Sequence, residues 1–482
     1  MAFSLLTVIT GLVFVLIITR SLTAEQLGTW SLIGGYFSYV LIIEPIIAHW
    51  ATREIARGTN SGKTAIISSS ALSAVGLGAY IIIALFVGGQ TDANLDDLVF
   101  ASILIPFMFV NRTLTSIGLA WKPQLVQYGV LSLDISKVPM AIIFIHFLDL
   151  GIPGVVFSML IAYITSSILL GYASRKKLKE SFKWAYLKKW LKLFWLPIYV
   201  KFPSLVVLDV VIFSTITGSV VGLAYWTVAS TVGYVAKHTQ HVSLALYPKL
   251  LSGGKKEFLQ ENLSLQFFFA IPVVSISIAF AEPALFALNP IYREAGIIVI
   301  LLALRIFLKN FNAILSQSMQ GIEEIDTDTN ATQKDYFKSK LFHIPTIKLI
   351  EKIIYLVLLA IGLYIIIFLQ LDFDLVTYWA IIAFITQIPF SIYFYFVTRK
   401  SFSKVFNKKS VLKYFLAAII VFAAGHFLFE ETGEYKESIY EFLPLLLAYI
   451  IPTTLAYAGL VYIMDKQIRK LFKSIFEEVI KR

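Results

Sequence analysis

No cysteine occurs among the 482 residues. That excludes disulfides, thiolate nucleophiles and Cys-ligated zinc, and it leaves the redox compartment open. Charge is scarce as well. Asp, Glu, Lys and Arg make up 15% of the chain, where soluble domains carry about 25%. Apolar residues take their place at 58%, above the ~45–50% of soluble chains. An ordinary soluble domain and a disordered chain are both excluded by these figures. A Gly-rich phosphate loop of Walker type is also missing, so direct ATP hydrolysis is not expected.

What is present is a series of long apolar runs. A membrane crossing needs ~20 apolar residues. Runs separated by polar clusters fall at 3–19, 30–51, 65–88, 98–120, 129–148, 151–173, 196–217, 220–247, 263–282, 296–319, 347–370, 375–397, 411–429 and 441–464. They predict an all-α polytopic membrane protein with fourteen transmembrane helices. The runs are too long and too uniform for β-barrel strands. The first run begins at residue 3 without a basic flank or a small-residue cleavage site, and it reads as a retained span.

Basic residues collect on the cytoplasmic side of membrane proteins. With the N-terminus inside and spans alternating, inward connections and the tail hold 33 of the 41 Lys and Arg. In this count Lys122 and Lys137 belong to one inward connection, and Lys334 to Lys352 to another. Outward connections hold Arg20, Arg293 and Lys436, and are acidic instead: Asp92, Asp96, Asp97, Asp372, Asp374, Glu430, Glu431, Glu434, Glu437 and Glu441. A missed span would scramble this alternation. Both ends are therefore expected in the cytoplasm, in the cell membrane. The net charge of +11 then belongs to a membrane surface rather than to nucleic acid. Of three Asn-x-Ser/Thr acceptors, this topology puts Asn111 in the membrane and Asn262 and Asn330 inside, so none is expected to be glycosylated.

The basic stretch 175–195 is amphipathic enough to lie along the inner leaflet. It divides the chain into an N-lobe (1–174, six spans), a connector (175–195), a C-lobe (196–400, six spans), an extra pair (401–464) and an amphipathic basic tail (465–482). Span two opens Leu27-Gly28-Thr-Trp and span eight opens Val221-Gly222-Leu-Ala-Tyr-Trp. Each lies one short outward loop into its half, which suggests parallel repeats. Transporters commonly bind substrate between such repeats. The polar segment 321–345 reads as a cytoplasmic loop.

Ionisable groups inside spans are costly and usually functional. Those singled out within spans are Glu44, Arg112, Lys201, Asp209, Lys237, Arg305 and Lys309, five cations against two anions. Arg305 and Lys309 stand four apart, on one face of span ten. With no acid on that helix, they are expected to face water or an anion. Lys201 lies near the inner end of span seven, where snorkelling is the competing role. Lys237 shares a face of span eight with His241. His238 and His241 have a metal-pair spacing but no third ligand, so no metal is expected. Asp209 and Glu44 either balance neighbouring cations or carry a coupling H+ or Na+. Glu44 precedes Pro45, which breaks its helix. Arg20 and Arg53 cap spans one and two, as anchors or as ligand contacts. Together these residues predict a water-filled, net-positive cavity between the two helical halves, suited to an anionic ligand.

The stretch Ile17-Ile-Thr-Arg20-Ser-Leu22-Thr-Ala-Glu25-Gln-Leu-Gly28-Thr-Trp30 is similar to the N-terminal motif of Wzx-type polysaccharide flippases. These belong to the multidrug/oligosaccharidyl-lipid/polysaccharide (MOP) exporter superfamily. Arg53-Glu-Ile-Ala-Arg57, Leu208-Asp209, Val221-Gly222, Leu246-Tyr-Pro248, Tyr292-Arg-Glu-Ala and Gln320-Gly321 with Asp326 add to the resemblance. It covers residues 1–330; the last four spans carry no motif of the family. The resemblance implies two six-helix lobes in a V around a central cavity, plus two C-terminal helices. It implies translocation of a polyprenyl-phosphate- or pyrophosphate-linked oligosaccharide to the outer leaflet, with membrane lipids around it. Arg20 and Arg53 match first-lobe basic positions of the family. Arg305 and Lys309 fit a second-lobe basic face by location rather than by motif.

Two readings compete. A multidrug or cation antiporter of the same superfamily should have a more acidic cavity. A membrane glycosyltransferase should carry a sizeable outward loop with residues poised for chemistry, and the outward loops here are short. A transporter without catalytic residues or cofactor is the expectation.

Overall fold

The computed structural model describes residues 2–56, 58–122, 124–192, 194–195, 197–198, 208–243, 246, 250, 257–323, 332–402, 404–470 and 472–473. All regular structure among them is helical. Among the described residues ten helices are long and apolar enough to cross a membrane, and they coincide with predicted spans three to six and nine to fourteen. An eleventh crossing results if the bent pair Ala24–Val40 and Pro45–Ala56 is one span. The first predicted span coincides with the 20-residue helix Ala2–Ser21, whose side chains are described from Thr10. The other two predicted spans have shorter helices in their place. The seventh is Leu208–Thr217. The eighth is Val221–Gly233, continued by a 3₁₀ segment, Tyr234–Ser243. Ile419, Ile420, Phe427 and Leu455 are among many large apolar side chains left exposed along these helices. Contiguous apolar surface of this kind fits lipid contact rather than water.

Local chemistry explains the interruptions. Thr23 and Gln26 form a reciprocal capping box that starts the Ala24–Val40 helix. The helix then stops before Pro45, which lacks an N–H, and the chain bends by 58°. Glu44 sits in that break, as its position before proline predicts. Pro139 lies inside Gln124–Ala141, and a π-helical turn, Ile142–Phe147, follows it.

The chain forms two compact units. One is Met1–Thr227 with Leu359–Asp372; the other is Val228–Leu358 with Phe373–Arg482.

In the first unit the repeat-like openings of spans two and eight meet. A Cβ added at Gly28 would lie 1.9 Å from the Val220 carbonyl oxygen, so only glycine fits. One turn further in, Thr227 Oγ1 donates to Ser31 Oγ at 2.7 Å. Buried hydroxyls stitch the other helices. Asn111 Nδ2 donates to Ser166 Oγ and Ser167 Oγ, and Thr113 donates to Ser69. Asn111 is therefore a packing residue inside the helical bundle. Lys137 was expected in a connection; it lies within Gln124–Ala141 instead, with Nζ 2.6 Å from buried Asp134. An ion pair one turn apart lets a lysine lie in an apolar helix, and the hydropathy pattern around it hides the charge.

The basic connector docks on this unit. Its helix, Trp184–Lys192, inserts Trp190 among Ile46, Ile47, Ile55 and Ile117. Lys189 Nζ reaches Glu54 Oε1 at 2.7 Å. Trp184, Leu191 and Trp195 remain exposed. One apolar side chain of the connector thus packs on the protein, while others stay exposed.

In the second unit an aromatic-rich core joins Glu257–Ala279, Lys408–Thr432 and Ile439–Met464. It holds Phe268, Phe280, Tyr414, Phe429, Phe442 and Tyr457. Ile468, from the start of the expected amphipathic tail, is buried in the same core. Residues 474–482 of that tail lie outside the described residues.

Candidate anion-binding site

The polar face of the Gly296–Gly321 helix organises the site. Arg305, Lys309, Asn312 and Ser316 recur at spacings of four, three and four, so they form one stripe. Ile298, Val299, Leu302, Ile306, Ile314 and Leu315 of the same helix are buried and anchor it.

The Lys340–Phe368 helix lies opposite. Lys348 Nζ donates to Ser316 Oγ at 2.9 Å. Glu351 and Lys352 are charged neighbours of Lys309 and Arg305. The Arg305 guanidinium carbon is 5.0 Å from the Tyr355 ring centroid. Rising numbers on one helix meet falling numbers on the other, so the two run antiparallel.

The 3₁₀ segment Tyr234–Ser243 supplies the third wall. Asn310 Nδ2 donates to the Ala236 carbonyl at 2.8 Å. Thr239 Oγ1 accepts from Gln266 Nε2 at 2.9 Å. These bonds from neighbouring helices pin the segment, and it places Tyr234 and Lys237 at the site. Arg305 Nη1 donates to Tyr234 Oη at 3.0 Å. Trp379 Nε1 donates to Tyr355 Oη at 2.6 Å, which fixes the ring under Arg305.

The result is a basic cluster. Lys309 has Arg305, Lys352, Glu351 and Lys237 as charged neighbours, and only one of the four is an acid. Glu351 in turn has Lys309, Lys352, Arg305 and Lys348 around it. Among the described residues these neighbours make up five cations and one carboxylate. Arg305 is buried, whereas Lys309 and Lys237 are exposed. Arg305 is thus a buried fork held by Tyr234 and Tyr355, with Lys309 and Lys237 beside it. Asn312 is buried, and both of its amide atoms lack a partner among the described residues.

Arg305, Lys309 and Lys237 are brought together here. The other sequence-derived residues are not in this cluster. Arg20, Glu44, Arg53, Arg112 and Asp209 belong to the first unit. Arg53 is exposed, 6.0 Å from the Trp50 ring centroid. Arg112 is exposed on Leu104–Trp121, with Tyr163 in its field. Glu44 is buried at the helix break. Asp209 Oδ1 accepts from the Val210 N–H, and its charge reaches Tyr39. Lys201 lies outside the described residues.

Lys348, Glu351, Lys352 and Tyr355 were not singled out by the sequence. The lysines fall at the edge of a hydropathy window and count there as a cytoplasmic connection. They lie within the long helix instead. Four-residue spacing between Lys348 and Lys352, with Glu351 between them, is the signal that could have found them.

A cavity of about 640 Å³ elsewhere in the second unit is lined mainly by apolar residues such as Ile278, Ile297, Ile300, Ile419 and Phe422. None of the basic cluster lines it.

No family model and no curated protein matches the chain. Solved structures do. A lipid II flippase MurJ, in an inward closed conformation, is 16% identical with a TM-score of 0.65, over 96% of this chain and 98% of that one. A multidrug resistance MATE family transporter of the MOP superfamily, inward-facing, is 15% identical with a TM-score of 0.57, over 82% and 94%. A MOP superfamily transporter from Pyrococcus furiosus, described as having a binding pocket of reverse polarity, is 15% identical with a TM-score of 0.54, over 84% and 93%. The chain therefore has the fold of MOP-superfamily transporters.

Proposed function

We propose that the protein is a flippase for a polyprenyl-phosphate- or pyrophosphate-linked oligosaccharide, of the Wzx type. The observation that carries this reading is the gathering of Arg305, Lys309, Lys237, Lys348 and Lys352 with one carboxylate, Glu351, among the described residues. A planar guanidinium suits phosphate oxygens, and lysines add point charges. Binding a di- or trianionic headgroup offsets the mutual repulsion of these cations. The polyprenyl chain needs no polar partner and stays in the bilayer. Asn312 offers a donor and an acceptor one turn from Lys309, suited to a hydroxyl or amide of the carried group.

In this reading the chain crosses the cell membrane fourteen times, with both termini cytoplasmic and six-span lobes at 1–174 and 196–400. Arg20, Arg53, Arg112 and Lys201 add substrate contacts. Glu44 and Asp209 balance charge or bind a coupling H+ or Na+. Alternating access moves the headgroup across.

A cation or multidrug antiporter is the second reading, favoured by the MATE transporters among the similar structures. The basic cluster opposes it, since an organic cation would be repelled.

Proteoliposomes separate the two. Labelled lipid-linked oligosaccharide should reach the outer leaflet with the wild-type protein and not with Arg305→Ala/Lys309→Ala. Wild-type rates in the double variant, or transport of an organic cation instead, would defeat the proposal.

A further inference from the structure

A second basic concavity lies away from this cluster. It is a cavity of about 380 Å³ at the turn joining Gln387–Ser401 to Lys408–Thr432. Arg399, Lys404, Lys408 and Lys409 line it, with Tyr395, Asn407 and Gln260 as further polar groups, and no acid lines it among the described residues. None of these four cations is in an ion pair among the described residues.

The turn is built rather than loose. Phe402 and Val405 are buried. Phe406 packs edge-on to Phe267, with ring centroids 5.4 Å apart, and tilts against Tyr395. The lysines are therefore displayed on an anchored frame, and holding them together requires no further ordering of backbone.

Their position is electrostatically unfavourable without a ligand. Lys408 and Lys409 occupy the first turn of a 25-residue helix that has no acid there. That end carries the positive pole of the helix dipole, where an anion is stabilising and a cation is not. Asn407 caps the free N–H groups of Lys409 and Ser410, but it brings no charge.

Finally, the cavity lies where one membrane-length helix ends and the next begins. That is the level of lipid phosphates, and basic pockets between helix ends bind anionic headgroups.

We infer that Arg399, Lys404, Lys408 and Lys409 form a binding site for a phosphoryl group, the headgroup phosphate of an anionic phospholipid. The site is independent of the transport reading above. It would tie this end of the second unit to anionic membrane.

Native mass spectrometry of the full-length protein, with phosphatidylglycerol titrated against phosphatidylcholine, tests it. The wild type should retain phosphatidylglycerol preferentially. Lys404→Gln/Lys408→Gln/Lys409→Gln should bind it about a hundredfold more weakly. Lys408→Arg/Lys409→Arg should bind it like the wild type. Without anionic lipid, the triple variant should melt no lower than the wild type, because the first-turn repulsion is gone. That second measurement guards against a merely misfolded variant. Inorganic phosphate in a parallel titration separates the sources. Competition by millimolar phosphate supports a phosphoryl site open to soluble ligands, and no competition supports a lipid headgroup alone. Equal retention of both lipids by the wild type, or unchanged phosphatidylglycerol binding by the triple variant, overturns the inference.

Discussion

Arg305 and Tyr355 face each other across two antiparallel helices, with the guanidinium carbon 5.0 Å from the ring centroid. The tyrosine hydroxyl is held by the indole of Trp379. The arginine thus lies between the Tyr355 ring and the Tyr234 hydroxyl, with Glu351 as a charged neighbour. In the proposed function this cation contacts the anionic headgroup. Arg305→Gln should lower transport of lipid-linked oligosaccharide in proteoliposomes at least about tenfold, the size of one lost charge-assisted hydrogen bond. Arg305→Lys keeps the charge and loses the planar fork, so it should fall between. Equal loss in both variants would mean that shape, not charge, matters at this position.

How much of this was legible beforehand follows from what each signal measures. Hydropathy reports the apolar length of a helix, and ten of the expected spans lie where it puts them. It does not report a break, and Pro45 had to be read separately. Arg305 and Lys309 were visible because the i, i+4 rule needs only one helix. Their partners Lys348, Glu351 and Tyr355 come from another helix. Only the antiparallel packing of the two brings them close, and one sequence does not encode that pairing in any local pattern. Lys137 shows the converse. Its charge was placed in a connection, but a local acid at i−3 keeps it inside the helix.

Gly28 offers a test of the packing between the openings of spans two and eight. Any side chain there meets the Val220 backbone, which cannot swing away as a side-chain tip can. Gly28→Val should reduce stability by about 1–3 kcal/mol, the usual cost of overpacking. Thermal unfolding in detergent should show a lower midpoint. Gly34, which has open space around its Cβ position, is the control. Gly34→Ala should unfold like the wild type, and equal effects at both positions would refute the close approach.

Trp190 anchors the connector. It is fully buried in a cluster of isoleucines, with Tyr186 stacked on it at a centroid distance of 6.0 Å. Trp190→Ala should cost about 3–5 kcal/mol locally. Limited proteolysis should then cut between residues 175 and 195 faster than in the wild type. Unchanged cleavage would show that the connector is held by Lys189 and Glu54 instead.

The absence of native cysteine makes orientation simple to map. Glu434→Cys and Lys176→Cys both introduce a thiol at an exposed position. With fourteen crossings, an impermeant maleimide applied to intact cells should label position 434 and spare position 176. Labelling in the opposite sense would invert the assigned topology, and labelling of both would overturn the count of spans.

Asp465 ties the last long helix to the segment after it. Its Oδ1 accepts from the Gln467 and Ile468 N–H groups. Burial works against its charge, but hydrogen bonds from Ser410 and those two N–H groups, with Lys413 nearby, hold its carboxyl below the ordinary carboxylate range. A depressed native pKa means that the folded form binds the proton more weakly than the unfolded one. The stabilisation is therefore fully present above the ordinary value near 3.9 and is lost as pH falls through the lower native value. At pH 7 the carboxylate should be intact, and Asp465→Asn should raise amide hydrogen exchange at Gln467 and Ile468 severalfold, since a neutral cap is weaker than a charged one. As the pH drops below the carboxylate range, the two proteins should converge, after correction for intrinsic exchange. A constant gap at all pH values would show that the asparagine perturbs packing around Ile468 rather than removing a charge.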